Sequence, residues 1–245
     1  MNPHRSQPRR MLALVTTLCL IAVICAERVP AAAHDESMTA TDILERASAR
    51  IAETESLSFE LEVDGPTYID DDETIQLLEA RGQLVRPDRV HSQFRVRVLE
   101  SVTVTMEIIT VGDQTWSTDL ITGNWEEAPV EFTYDPSILF DTDDGVGPVM
   151  DRVTGEERLD DEEIRGLDAF RVRADVERDV IGPLTSNTLT GAPIAVELWI
   201  DQKSFDLLRA KLSESDGDGD EPSVWTLDLD DHDESFDIVP PDSGS

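Results

Sequence analysis

Cysteine is nearly absent from this 245-residue sequence, and basic side chains are few. Cys19 and Cys25, the two cysteines, lie within the first 33 residues, so a chain that loses those residues has no disulfide and no thiol chemistry. The same 33 residues contain four of the 20 basic and one of the 53 acidic side chains, which leaves 16 basic against 52 acidic. So acidic a surface repels nucleic acid and anionic lipid, and we expect no nucleic-acid partner.

Motifs for catalysis and metal binding are also lacking. The sequence contains no HExxH, no GxSxG and no glycine-rich loop for a phosphate or a dinucleotide. Beyond residue 33 the only histidines are His34, His91 and His232, which are too few and too scattered for a zinc site. Paired carboxylates carry no information in so acidic a chain. We expect a protein that is not an enzyme and that uses no metal and no cofactor.

The first 33 residues have the order of a secretory signal. Arg5, Arg9 and Arg10 precede an apolar run at 11–26, and three alanines follow at 31–33. The apolar run is shorter than the roughly 20 residues that a membrane span needs. We expect 1–33 to be a signal peptide, 34–239 to be the folded domain and 240–245 to be a disordered tail.

Cys25 leaves two routes of processing open. It ends the apolar run, where a bacterial lipoprotein carries its lipidated cysteine, but Ile24 is bulkier than the small residue that this processing favours. Lipidation would anchor the protein to a membrane, whereas cleavage after Ala33 would release it with His34 at its N-terminus. On either route we expect an exported protein of the cell envelope, on its periplasmic or extracellular face.

One amphipathic helix is predicted at the start of the folded domain, over residues 42–55. Its apolar side chains recur on one face: Ile43, Leu44, Ala47 and Ile51. Asp42 and Glu45 have the spacing of a capping pair. The helix should cover an apolar surface formed by the rest of the chain.

Alternating apolar and polar residues predict a series of strands after this helix. The segments with this pattern are 57–63, 78–85, 90–98, 102–111, a short piece around Trp116, 169–176, 194–200, 207–212 and 224–229. The connections between most of them are too short for parallel pairing. The pattern predicts an antiparallel α+β domain.

Residues 135–150 interrupt the alternation. Apolar residues there could share a helical face, but Gly145, Gly147 and Pro148 would break it. The segment is compatible with a short, broken helical lid or with an acidic loop, and the sequence does not decide between them.

The remaining candidates for a site are apolar. A helix laid across a curved sheet could leave a cleft among the apolar strand faces and the helix. The candidate cavity residues are Ile43, Leu44, Ala47, Ile51, Phe59, Leu61, Phe94, Val96, Val104, Met106, Ile108, Leu198 and Ile200. From the alternation alone, a filled core is favoured over a cavity.

Several segments, in order, resemble the LppX/LprAFG lipoproteins of the LolA-like superfamily. They are 125–129 with 134–139, 166–172, 196–201 with 208–212, and 236–241. The strand and turn at Trp199-Ile200-Asp201 and the closing Asp237-Ile238 before Pro241 have the family's order and spacing. The resemblance implies an antiparallel half-barrel sheet whose concave face is covered by helices, with acyl chains of lipids or glycolipids between sheet and helices.

On this resemblance we expect a monomeric envelope protein that binds or carries a lipid or glycolipid in an apolar cavity. The alternative is an envelope sensor or regulatory module that binds a protein partner through the same fold. A carrier should copurify with extractable lipid, and a sensor should have a protein partner.

Overall fold

A computed structural model describes residues 38–70, 72–99, 101–129, 136–189, 193–214 and 222–241. The predicted signal peptide with Cys25, the cleavage position at Ala33 and most of the predicted tail lie outside these residues. Every element described below belongs to one unit, Asp35–Ser245.

Helix α1 spans Ala40–Glu53. The predicted capping pair was wrong: Asp42 is the third helical residue, not the cap, and it forms a capping box with Thr39. The Asp42 N–H donates to the Thr39 hydroxyl at 3.1 Å, and the Thr39 N–H donates to the Asp42 carboxylate at 3.0 Å. Because these bonds satisfy N–H groups that the first turn leaves free, the helix starts two residues earlier than predicted.

Twelve strands are described, and they form one antiparallel sheet. They are β1 (Ser56–Asp64), β2 (Ile75–Val85), β3 (Arg89–Val98), β4 (Val102–Val111), β5 (Gln114–Thr118), β6 (Trp125–Glu127), β7 (Thr154–Arg158), β8 (Glu162–Ile164), β9 (Leu167–Val176), β10 (Ile194–Asp201), β11 (Leu207–Glu214) and β12 (Val224–Asp230). Their order across the sheet is β6-β5-β4-β3-β2-β1-β12-β11-β10-β9-β7, and β8 pairs with β9. Since β1 pairs with β12, residues from both ends of the domain meet in the middle of the sheet.

The predicted strands are all present. They could be predicted because each buries one face and therefore shows the alternation. The pattern did not predict β6, β7 and β8. These three short strands have only one buried residue among them, so they carry no apolar period. Nor did it predict α3 (Arg178–Ile181), a single turn too short to show a helical period.

The segment 135–150 is helical in two pieces where it is described. A 3-10 helix spans Pro136–Phe140, and α2 spans Val146–Asp151. The helical alternative is therefore correct, with the break at 141–145, where Asp141 accepts the backbone N–H groups of Asp143 and Asp144.

The apolar side of α1 lies against the face of the sheet that carries Leu57, Phe59, Leu61 and Val63, which we call the inner face. Side chains of α1, α2 and the inner face of β1–β3 and β9–β12 form the main core. A second, smaller cluster on the inner face is centred on Val63, Leu77 and Val96. Trp225 packs against both clusters.

The C-terminal segment 231–238 ties the end of α1 to the sheet. The Arg50 guanidinium lies 2.7 Å from Asp206 and 2.6 Å from Asp233, and the Glu55 N–H donates to Asp233 at 2.8 Å. The Glu55 N–H and then the Arg50 guanidinium hold the pKa of Asp233 below its ordinary value. Arg89 donates to the carbonyl of Ile238, further along the segment.

We predict that this tie weakens in acid. Because the pKa of Asp233 is lower in the folded state, its contribution to stability is present above the unfolded value of about 3.9 and is lost as pH falls below it. Asp233→Asn should lower the free energy of unfolding at pH 7 by about 1 kcal/mol or less, since the pair is partly exposed. Urea denaturation at pH 7 and pH 3 measures the difference, which should shrink at pH 3. Asp237→Asn, an exposed change of the same charge, is the control; an equal effect there would contradict the assignment.

Candidate functional site

The inner face carries a continuous row of apolar side chains across the sheet. Directly opposed residues of antiparallel strands share a face, and the register can be followed from strand to strand. The row is Met106, Phe94, Ala80, Leu61, Leu227, Ala210, Leu198 and Val172. Four of the predicted cavity residues therefore lie in one line that crosses eight strands.

All nine predicted strand residues lie on the inner face. Beside the four in this row, the neighbouring rows contain Phe59, Val96, Val104, Ile108 and Ile200. The four helix residues, Ile43, Leu44, Ala47 and Ile51, are buried against the same face. The structure thus places the nine strand residues on one face of the sheet and the four helix residues in the core cluster that packs against it, while their role in binding a ligand stays a prediction.

Some parts of the inner face are more fully covered than others. Where α1 crosses it, Ile43, Ala47 and Ile200 are at most 1% exposed, and the space between helix and sheet is filled. In the second cluster, Leu61, Phe94 and Val104 are only partly buried. Open apolar surface therefore lies toward the end of the sheet where β1 and β3 finish.

A cavity of about 570 Å³ lies between α1 and residues 139–156. Its apolar lining includes Leu44 and Ile51 from α1, and Leu139, Phe140 and Met150 from the opposite wall. This volume falls within the range of about 300 to 1,000 Å³ that is typical of small-molecule sites. Phe59, another predicted residue, borders a separate polar groove of about 640 Å³ over Gly82.

The sequence did not predict that residues 139–156 form one wall of a site. Leu139 and Met150 were noted as apolar residues of a possible helical face, but the break at 141–145 hid the fact that both pieces turn toward α1. No local signal identifies this wall, since scattered apolar residues in a polar segment are common on protein surfaces.

Gly147 allows α2 to approach α1 closely. A Cβ at this position would lie 3.2 Å from the side chain of Ile51 and 3.2 Å from the backbone carbonyl of Ser48. Next to this contact, the Ser48 hydroxyl donates to Asp151 at 3.0 Å. The two helices are therefore fixed on one side of the cavity.

Arg86 closes the end of the cavity at the C-terminus of α1. Its guanidinium donates to the carbonyls of Thr54, Ile51 and Ala52 at 2.6, 3.2 and 3.1 Å, and it lies 4.2 Å from the centre of the Phe140 ring. A cation at a helix C-terminus is favoured by the helix dipole. One side chain therefore joins α1, β2 and the 3-10 helix.

Carboxylates dominate the polar rim of the cavity. Glu45, Asp141, Asp151 and Glu156 all line it. Glu156 accepts hydrogen bonds from its own backbone N–H and from the Thr41 hydroxyl, and these bonds hold its pKa below the ordinary value. The backbone N–H groups of residues 144 and 143 likewise hold the pKa of Asp141 below its ordinary value. Both groups are therefore charged at neutral pH, and the rim disfavours an anion.

The model of one family, described as LppX_LprAFG lipoprotein, matches residues 39–238 of the sequence. The chain belongs to the LppX_LprAFG lipoprotein family. The match runs from the N-cap of α1 to the buried Ile238 of the C-terminal segment, so it covers the sheet and both walls of the cavity. The predicted resemblance is confirmed.

Two solved structures of mycobacterial proteins, LprF and the lipoprotein LppX, share the fold of this family member. LprF from Mycobacterium bovis is 20% identical, with a TM-score of 0.67, over 84% of this chain and 97% of that one. LppX from Mycobacterium tuberculosis is 13% identical, with a TM-score of 0.57, over 82% of this chain and 98% of that one. The predicted fold class, an antiparallel sheet with helices over one face, is confirmed.

A search of curated proteins found no match to this LppX_LprAFG family member. Among the helices that the structure describes, none is long and apolar enough to cross a membrane. Within those same residues, no three His, Cys, Asp or Glu side chains gather in a way that could hold a metal ion.

We predict that Arg86→Lys loosens the cavity. A lysine keeps the charge but cannot reach three carbonyls and a ring together, so the free energy of unfolding should fall by about 1.5 to 3 kcal/mol. Chemical denaturation measures this loss. Arg81→Lys, in strand β2 just before Arg86, is the control, because Arg81 donates to Gln93 at an exposed site. Equal losses in the two variants would show that Arg86 has no special role.

Proposed function

We propose that this protein carries a lipid or glycolipid in the cell envelope and holds an acyl chain in the cavity between α1 and residues 139–156. The observation that carries the proposal is a cavity of about 570 Å³ with apolar side chains on both walls, in a member of a lipoprotein family. Burial of a sixteen-carbon chain contributes roughly 12 kcal/mol before ordering costs, at about 0.8 kcal/mol for each methylene. Apolar contact is therefore sufficient for binding, and no catalytic group is needed.

The inner face extends the proposed site. The partly buried residues of the second cluster, such as Leu61, Phe94 and Val104, offer apolar surface for a further chain or for passage of the same one. The charged carboxylates at the rim favour an uncharged or cationic head group, which agrees with a glycolipid better than with an anionic phospholipid. The acidic exterior keeps the loaded complex soluble.

We predict that Leu139→Asp abolishes acyl binding without unfolding the protein. Leu139 lines the cavity and is only partly buried, so a carboxylate there puts an unpaired charge against the acyl chain at a small cost in stability. Titration with an uncharged acyl probe, a fluorescently labelled monoacylglycerol, measures the binding. Ile121→Asp is the control, because Ile121 is 93% exposed in the β5–β6 turn. Unchanged affinity in Leu139→Asp would contradict the placement of the acyl chain.

We predict that Cys25 decides how the carrier is held in the envelope. If Cys25 is lipidated, the wild-type protein fractionates with membranes and Cys25→Ser releases it to the soluble fraction. Cell fractionation with N-terminal sequencing measures both. Wild-type protein that is wholly soluble and begins at His34 would show that cleavage after Ala33 is the correct route and that no lipid anchor exists.

A further inference from the structure

The cavity runs along α1 and has two different ends. The α1 residues that line it extend from Thr41 to Ala52, a length of about 16 Å at a rise of about 1.5 Å per residue. At the start of α1 the Thr41 hydroxyl donates to Glu156 at 3.0 Å. At the end of α1 Arg86 donates to the Ala52 carbonyl and lies over the Phe140 ring. The opposite wall therefore runs antiparallel to α1, with residue 140 at one end of the cavity and residue 156 at the other.

The end of the cavity at the start of α1 is polar and open to water. Thr41, Glu45 and Glu156 line this end, and all three are exposed. A terminal methyl group placed here would take water from the carboxylates and offer them no hydrogen bond in return, which is unfavourable. The hydrated head group of a lipid therefore fits this end, and the tail of its acyl chain does not.

The opposite end of the cavity is apolar and closed. Ile51 is buried there, and Leu139 and Phe140 are partly buried against the main core. The Arg86 N–H donates to the Glu55 carbonyl at 2.9 Å, and its guanidinium is bonded to three carbonyls at the C-terminus of α1. The 3-10 helix that carries Phe140 also packs against β3. The Phe140 ring is therefore held between a fixed cation and the sheet.

We propose that the Phe140 ring, held by Arg86, is the stop that sets the length of the acyl chain that the cavity accepts. The chain lies along α1, with its terminal methyl against Phe140 and its uncharged head group beside Glu45 and Glu156. This inference rests on the proposed lipid-carrier function and adds a direction and a limit of length to it. An acyl chain longer than the cavity leaves its excess methylenes in water.

The test is the dependence of affinity on chain length. Saturated monoacylglycerols of increasing length compete with the fluorescently labelled monoacylglycerol for the lipid-free exported Cys25→Ser protein, each below its critical micelle concentration. While the chain ends short of Phe140, each added methylene should tighten binding by about fourfold. Once the chain reaches the ring, affinity should reach a plateau, because further methylenes stay outside the cavity.

Two substitutions at the stop should move this plateau in opposite directions. Phe140→Ala vacates the space of the ring, so affinity should continue to rise with length, and the longest chain should bind at least about fourfold more tightly than to the parent protein. Phe140→Trp fills more of the same space, so the plateau should begin at shorter chains. A general loss of stability cannot shift the plateau both ways, so the two profiles separate a stop from an aromatic residue with only a structural role.

Phe205→Ala is the matched control. Phe205 is also a partly buried ring at the main core, and the guanidinium carbon of Arg46 lies 5.1 Å from its centre, but it does not line the cavity. This variant should lose stability and keep the parent profile. A plateau at the same length in both Phe140 variants, or no plateau in the parent protein, would overturn the stop and leave the carrier function standing. No binding of any chain length by the parent protein would refute the carrier function, and the stop with it.

Discussion

The apolar side of α1 has to be buried, and the inner face of the sheet is the surface that buries it. Ile43, Leu44, Ala47 and Ile51 pack against strands from both ends of the domain, because β1 and β12 are neighbours. The closely packed α1 then serves as a fixed wall, against which residues 139–156 complete a cavity. Arg86, Ser48 and Gly147 set the distance between the two walls. Removal of α1 would therefore remove the core and the cavity together.

Two parts of the structure differ in how closely they are packed. The space under α1 is filled, which gives a rigid support, while the cavity and the second cluster keep apolar surface that the chain itself does not fully cover. A carrier needs both properties, because a bound acyl chain must find preformed apolar surface in a protein that stays folded when it is empty. In the proposed carrier, the charged carboxylates at the rim would select against anionic head groups.

Most of the sheet could be predicted from the sequence, because each strand with one buried face shows an alternation. The short strands β6, β7 and β8 have almost no buried residues and could not be predicted. The helix was predicted from its apolar face, but its start was misplaced, since Thr39 was not recognised as the cap. The nine strand candidates share the inner face and the four helix candidates are buried in the core cluster beside it, whereas their contact with a ligand stays a prediction. The cavity wall at 139–156 could not be predicted, because it depends on how two short helical pieces dock on α1 and not on any local period.

The central claim is that the cavity between α1 and residues 139–156 holds an acyl chain in the native protein. Native mass spectrometry of the protein purified from the cells that export it, followed by lipid extraction, tests this most directly. The account predicts a bound species with the mass of one lipid or glycolipid, which dissociates on activation and is recovered in the organic phase. A protein that shows only its polypeptide mass, yields no extractable lipid and takes up none from vesicles would contradict the account.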